Sequence, residues 1–134
     1  MAAPELVLPP KPNGLISTMK FVVEANLKDP KKAEAASKMN LVASVETDYN
    51  TTATLRFRDG KIIFENGAAS DAEVHMKGDF ATLAKVTARE MHPLRAMLTG
   101  KIRVSGSKWK GMKLQKLTIL PKEMARDRKR KTKS

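Results

Sequence analysis

The chain of 134 residues contains no cysteine. That excludes a disulfide framework and any thiolate metal site, and it suits a reducing compartment. Aromatic residues are scarce: four Phe, one Trp and one Tyr. Such a chain has little with which to build the exposed stacking pairs of ribonucleoprotein-type sheets. Its two histidines, His75 and His92, stand at no metal-ligand spacing to each other or to carboxylates, so no metal is expected. No apolar run approaches the roughly 18 residues of a membrane-spanning helix. The opening MAAPELVLPPKPNG has no basic start, and Pro9 and Pro10 break its short apolar stretch, unlike a secretory signal. The ending KTKS is not a Ser-Lys-Leu peroxisomal address. A cytoplasmic location is the expectation.

Reactive constellations are also missing. No serine, histidine and aspartate show the local turn chemistry of a nucleophile, and no paired carboxylates suggest general acid–base work. The expectation is a protein that is not an enzyme and has no cofactor.

Positive charge is abundant. Twenty-six Lys and Arg face fourteen Asp and Glu, for a net charge of +12. Seven basic and two acidic residues fall between Lys122 and Lys133, so the tail carries +5 of that charge. Such a chain is drawn to polyanions: nucleic acid, anionic membrane or acidic proteins.

The length fits one domain. Residues 1–14 are Pro-rich and read as an extended lead-in, residues 15–120 as the domain, and residues 121–134 as a basic, disordered tail. Leu15, Met19, Val22, Val23 and Leu27 recur near helical spacing. Asp29-Pro30 starts a second, Ala-rich helix, because Asp accepts from free backbone N–H groups and Pro suits the first helical position. From Leu41 the period becomes two. Leu41, Ala43 and Val45 alternate with polar residues, as do Ala53, Leu55 and Phe57. Asp59-Gly60 suits a two-residue hairpin turn returning through Ile62 and Phe64. Ala72, Val74 and Met76 form a fourth alternating segment, and Ile102 and Val104 a fifth. Five segments with one apolar and one polar face predict a single, largely antiparallel sheet with one face wet and the other covered by helices. Three late helices are predicted: Phe80 to Met91 behind an Asp79 cap, Leu94 to Leu98 behind Pro93, and Trp109 to Leu117 behind a Ser107 cap, ended by Pro121.

The stretch DAEVHMKGDFATLAKV followed by HPLRAMLTGKIRVSGSKWKGMKLQKL resembles the sterol carrier protein type 2 family of lipid-binding domains. The residues that carry the resemblance are Gly78-Asp79, His92-Pro93, Gly100-Lys101 and the closing Met112 to Leu117. It extends over roughly Leu15 to Leu120. It implies an α+β fold, a five-stranded sheet covered on one face by helices, and an apolar tunnel for fatty acyl chains, acyl-CoA, sterols, isoprenoids or phospholipids. SGSKWKG departs from the family, placing bulky Trp109 and two lysines where small or apolar residues are usual.

On this reading the sheet's apolar face (Leu55, Phe57, Ile62, Phe64, Val74, Met76, Ile102 and Val104) forms one wall of the tunnel, with Phe57, Phe64, Met76, Ile102 and Val104 as its ligand contacts. Leu83, Met91, Leu94, Met97, Leu98, Trp109 and Met112 form the helical wall, with Gln115 as a polar handle. Without the resemblance, a Met stripe is more often plain core packing, while Gln115 reads as readily as a solvated helix position as it does as a polar handle. Trp109 reads first as a core anchor, with gating the tunnel or sitting at a membrane interface as the functional alternatives. Burying an acyl chain contributes about 0.8 kcal/mol per CH₂, so a long chain reaches on the order of 10 kcal/mol before ordering costs. A basic residue near an anionic membrane contributes only about 1 kcal/mol. The core would therefore capture the lipid, and the tail would bring the protein to a surface. The rival expectations are a basic nucleic-acid-binding protein, and an accessory subunit that presents lipid to a lipid-metabolic enzyme.

Overall fold

The computed structural model describes residues 4–48, 51–122 and 124. Most of the basic tail, 125–134 together with residue 123, lies outside the described residues. The fold is α+β. Eleven elements follow in the order β1 (Glu5–Val7), α1 (Gly14–Leu27), α2 (Pro30–Ser37), β2 (Leu41–Glu46), β3 (Thr52–Arg58), β4 (Lys61–Asn66), β5 (Val74–Gly78), α3 (Phe80–Thr87), α4 (Pro93–Leu98), β6 (Ile102–Gly106) and α5 (Lys108–Thr118).

The sheet has six strands in the order β1-β4-β3-β2-β5-β6, rather than the expected five. The additional strand lies in the Pro-rich lead-in, where Glu5–Val7 pair in parallel with Lys61–Ile63. Three residues between a terminus and a double proline are too short for a period-two pattern to register. Three strand pairings are antiparallel and two, β1·β4 and β2·β5, are parallel, so the sheet is mixed.

Local chemistry sets the element ends. Asp29, Asp79 and Ser107 each accept a backbone N–H as helix N-caps, and Pro30 and Pro93 occupy first-turn positions. Asp59 and Gly60 both have positive φ, 52° and 71°, as a tight hairpin turn with right-handed twist requires. The turn places Phe57 opposite Ile62 and Leu55 opposite Phe64. Those four side chains join Leu41, Leu15, Ile16 and Val23 in a sealed core beneath α1 and α2.

The opposite face of the sheet is not simply wet. Because β2 and β5 are parallel, the chain must cross from β4 past β3 and β2, and the segment 67–73 does so over the polar face. Ser44 and Thr54, expected at a solvated face, are buried and hydrogen-bonded to one another. Thr54 also donates to the Gly67 carbonyl, and the Ser44 hydroxyl accepts from the Ala69 N–H. Arg56 holds Asp71 through two hydrogen bonds, the shorter 2.6 Å, and reaches Glu65 at 3.3 Å. Glu73 accepts from the Val42 N–H and pairs with Lys110 on α5.

This strap gives the fold an acid-sensitive element. The Arg56 guanidinium holds Asp71 below the ordinary carboxylate range, and Lys110 does the same for Glu73. A carboxylate with a depressed folded pKa stabilises above its unfolded value, and the contribution is lost as pH falls through the folded value. The thermal midpoint is therefore expected to fall as pH is lowered below about 4. An Asp71→Asn/Glu73→Gln double variant should begin lower at neutral pH and lose less on acidification. Parallel acid losses in both proteins would show that the strap is not held by its ion pairs.

Candidate functional site

The helix-facing side of the sheet divides into two halves. The β3–β4 half is packed solid against α1 and α2. The β2–β5–β6 half is not. There Val45, Met76 and Val104 lie in register across three strands, with Val74 and Ile102 above and below them. These five side chains form the floor of a cavity of about 330 Å³, inside the roughly 300–1,000 Å³ range of small-molecule sites. Leu15, Met19 and Val22 of α1 form one side, and Phe80, Leu83 and Val86 of α3 another. Met97 of α4 and Met112, Leu114 and Gln115 of α5 complete the wall.

The lining is almost wholly hydrocarbon. Thr18 and Thr118 line it too, but each hydroxyl donates to the carbonyl four residues back on its own helix. Gln115 is the amide of the wall, and Lys108 stands at its edge. A second cavity shares Val86, Pro93, Met112, Gln115 and Ile119 with the first. Its character is different: Lys32, Arg89, His92 and Lys116 line it, and no carboxylate does. An apolar chamber thus adjoins a cationic vestibule, with Gln115 and Met112 common to both.

One buried polar group fixes α5, the lid of the cavity. Asn26 on α1 is fully enclosed, and its amide donates to the carbonyls of Leu117 and Ile119 at 2.9 and 2.8 Å and of Val22 at 3.1 Å. Its oxygen accepts from Lys32. The unpaired carbonyls at the C-terminus of α5 thereby find a partner on α1, which satisfies a helix end that would be costly to bury bare. At the far end of α5, Gly106 (φ 95°) brings β6 against the carbonyl of Glu73, which accepts from Ser107.

The structure brings together seven of the thirteen residues singled out from sequence: Met76, Leu83, Met97, Ile102, Val104, Met112 and Gln115 line the main cavity. Phe57 and Phe64 project from the correct face but sit in the sealed half of the core. Met91 lines the vestibule instead, because α3 ends at Thr87 and the chain turns at Arg89, whose φ is 63°. Leu94, Leu98 and Trp109 are exposed and line neither space. The α1 side went unassigned, although its i, i+4, i+7 stripe of Leu15, Met19 and Val22 carried the signal. Val45 and Phe80 lie beside assigned residues and were equally accessible to that reasoning.

A mixed sheet, helices on one face and a partly open apolar cavity between them define an α+β protein built around a ligand-sized space. The chain belongs to the SCP-2 sterol transfer family, whose sequence pattern matches residues 22–118. The fold is similar to that of sterol carrier protein domain 2 of Helicoverpa armigera, with a TM-score of 0.64 and 17% identity over 82% of this chain and 92% of that one. It is similar to UbiJ-SCP2, a ubiquinone synthesis protein, with a TM-score of 0.59 and 19% identity over 81% and 93% of the two chains. It is also similar to part of the inverting sec-alkylsulfatase Pisa1 from Pseudomonas sp., with a TM-score of 0.57 and 20% identity. That match covers 68% of this chain and only 14% of the sulfatase. No curated protein sequence matches the chain.

Among the described residues no helix is long and apolar enough to cross a membrane, and no group of three His, Cys, Asp or Glu could hold a metal ion.

Proposed function

We propose that this protein is a non-catalytic carrier that takes the apolar chain of a lipid into the cavity between β2–β5–β6 and α1, α3, α4 and α5. The observation that carries the reading is the contrast between the two adjoining spaces. The hydrocarbon-lined chamber favours a long alkyl or isoprenoid chain, since each buried CH₂ contributes about 0.8 kcal/mol. The vestibule of Lys32, Arg89, His92 and Lys116 favours an anionic or strongly polar head at the other end. Gln115 lines both spaces, which supports a role for its amide as donor to an ester, carboxyl or ketone oxygen. Membership of a sterol transfer family supports the lipid class, and the cationic vestibule favours an acyl amphiphile over a neutral sterol.

Nucleic-acid binding has less support. Among the described residues the polar face of the sheet shows no Phe, Tyr or Trp on its strands, and the 67–73 strap crosses part of it. A presenting role beside a lipid-modifying enzyme is a finer version of the carrier reading, and the likeness to a protein named for ubiquinone synthesis favours testing it. The partner would be sought by pull-down.

The direct test is native mass spectrometry of gently purified protein, followed by organic extraction. A one-to-one adduct in the mass range of a fatty acid, isoprenoid or phospholipid is expected. A bare mass that remains bare after incubation with long-chain fatty acid would rule the carrier reading out.

A further inference from the structure

The segment from Met91 to Lys122 contains eight Lys or Arg and no Asp or Glu. It builds α4, β6 and α5, the elements around the open side of the cavity. Those elements also leave large apolar side chains uncovered. Leu94 is 56% exposed, Leu98 79%, Trp109 68% and Met112 58%. Met97 and Met112 are both exposed and part of the cavity lining, so the apolar surface continues into the chamber. Arg95 stands on α4 among Leu94, Met97 and Leu98. Lys108 and Lys113 flank Trp109 on α5, with the Lys113 ammonium 5.7 Å from the centre of the indole ring. Asp79, at the start of α3, is engaged in capping through Thr82.

We propose that this face docks the protein on a bilayer containing anionic lipid, with the cavity mouth set against the membrane. Charge and apolar character decide the occupant. Apart from Lys110, which Glu73 engages, none of the cations from Met91 to Lys122 has a salt-bridge partner among the described residues, and such a border fits a surface of uniform negative charge. An exposed indole beside aliphatic side chains suits the headgroup boundary, where one end of the ring is apolar and the other wet. Each basic residue at an anionic surface raises partitioning about fivefold. A second protein with an acidic groove would show the same charge preference but would not require lipid. Docking needs no cargo, so this proposal stands or falls separately from the carrier reading.

Trp109 is the only tryptophan, so its fluorescence reports this face alone. The full chain would be titrated with vesicles of phosphatidylcholine and with vesicles of phosphatidylcholine mixed with phosphatidylglycerol. A blue shift of Trp109 emission is expected with the mixed vesicles, absent with the neutral ones and reversed by high salt. Leu98→Glu, a change at an exposed position, should weaken partitioning at least tenfold without altering the thermal midpoint. A Lys108→Glu/Lys113→Glu variant should weaken it further, with the basic tail intact. Vesicle co-sedimentation with no change in Trp109 emission would overturn the proposal and assign binding to another surface, the tail first. The absence of binding to either vesicle would overturn it as well.

Discussion

Replacing Gly106 by alanine is expected to be among the most destabilising single substitutions in this protein. Gly106 has a φ of 95°, where an L side chain is strained by about 1–3 kcal/mol. An added Cβ would lie 2.1 Å from the Glu73 carbonyl oxygen and 3.2 Å from the Val74 Cα. Both are backbone atoms of the neighbouring strand or its approach, so nothing flexible can move aside. The Glu73 carbonyl also receives the Ser107 N–H, which begins α5. Relieving the clash therefore means moving β6 away from β5 or displacing the cavity's lid. A loss of at least about 3 kcal/mol is expected, a large share of the roughly 5–15 kcal/mol that domains possess. The thermal midpoint should drop by about 10 °C or more. Gly60→Asn is the control. Gly60 also has positive φ, at 71°, but nothing lies within 4 Å of an added Cβ, and asparagine tolerates that conformation. Its cost should stay below about 1 kcal/mol. Similar losses for the two variants would show that backbone strain, and not the close approach of β6 to Glu73, makes Gly106 necessary.

The second large effect is on binding. Met76→Asp is expected to weaken uptake of a long-chain fatty acid by about 100-fold at neutral pH. Met76 lies at the centre of the cavity floor, between Val45 and Val104 in the strand register. A carboxylate there stays hydrated only while the cavity is open. A bound chain would strip that water at a cost of about 3 kcal/mol, which is roughly two decades in affinity. Protonation relieves the penalty, so binding should recover partly as the pH is lowered toward 5, because burial raises a carboxyl pKa. Met76→Gln should give an intermediate loss with no pH dependence. Met97→Asp, the substitution that sequence reasoning would choose first, should do less. Met97 is nearly half exposed, so a carboxylate there can turn to solvent. Circular dichroism melts accompany each titration. Unchanged affinity in a folded Met76→Asp protein would show that no ligand lies against the sheet.

The two variants mark the boundary between what local sequence reveals and what the fold imposes. The alternation of Val45, Met76 and Val104 showed that each faces the core. It could not show that they form one row, because the row depends on β2 pairing in parallel with β5. That pairing rests on the 67–73 crossover, whose anchors Ser44, Thr54 and Arg56 read as ordinary solvated alternates. Their partners are 13 to 25 residues away and include backbone groups that have no sequence signature. The same limit explains Phe57 and Phe64. Their face was legible, but which half of that face α1 and α2 would fill was not.

The sequence alone determined the local conformations and the family. Capping residues, proline positions, the Asp59-Gly60 turn and the two periodicities act within a few residues, so they specify helices, strands and the apolar face without reference to the rest of the chain. The resemblance over roughly Leu15 to Leu120, carried by Gly78-Asp79, His92-Pro93, Gly100-Lys101 and the closing Met112 to Leu117, pointed to the SCP-2 family. The tertiary structure alone decided the sixth strand, the covered polar face, and which apolar residues bound a space, fill a core or face outward. Those outcomes depend on how elements distant in sequence share a limited volume. Leu83, Leu94 and Leu98 look alike as helical leucines, and only the position of α3 and α4 over the sheet places the first in the cavity and the others on the surface.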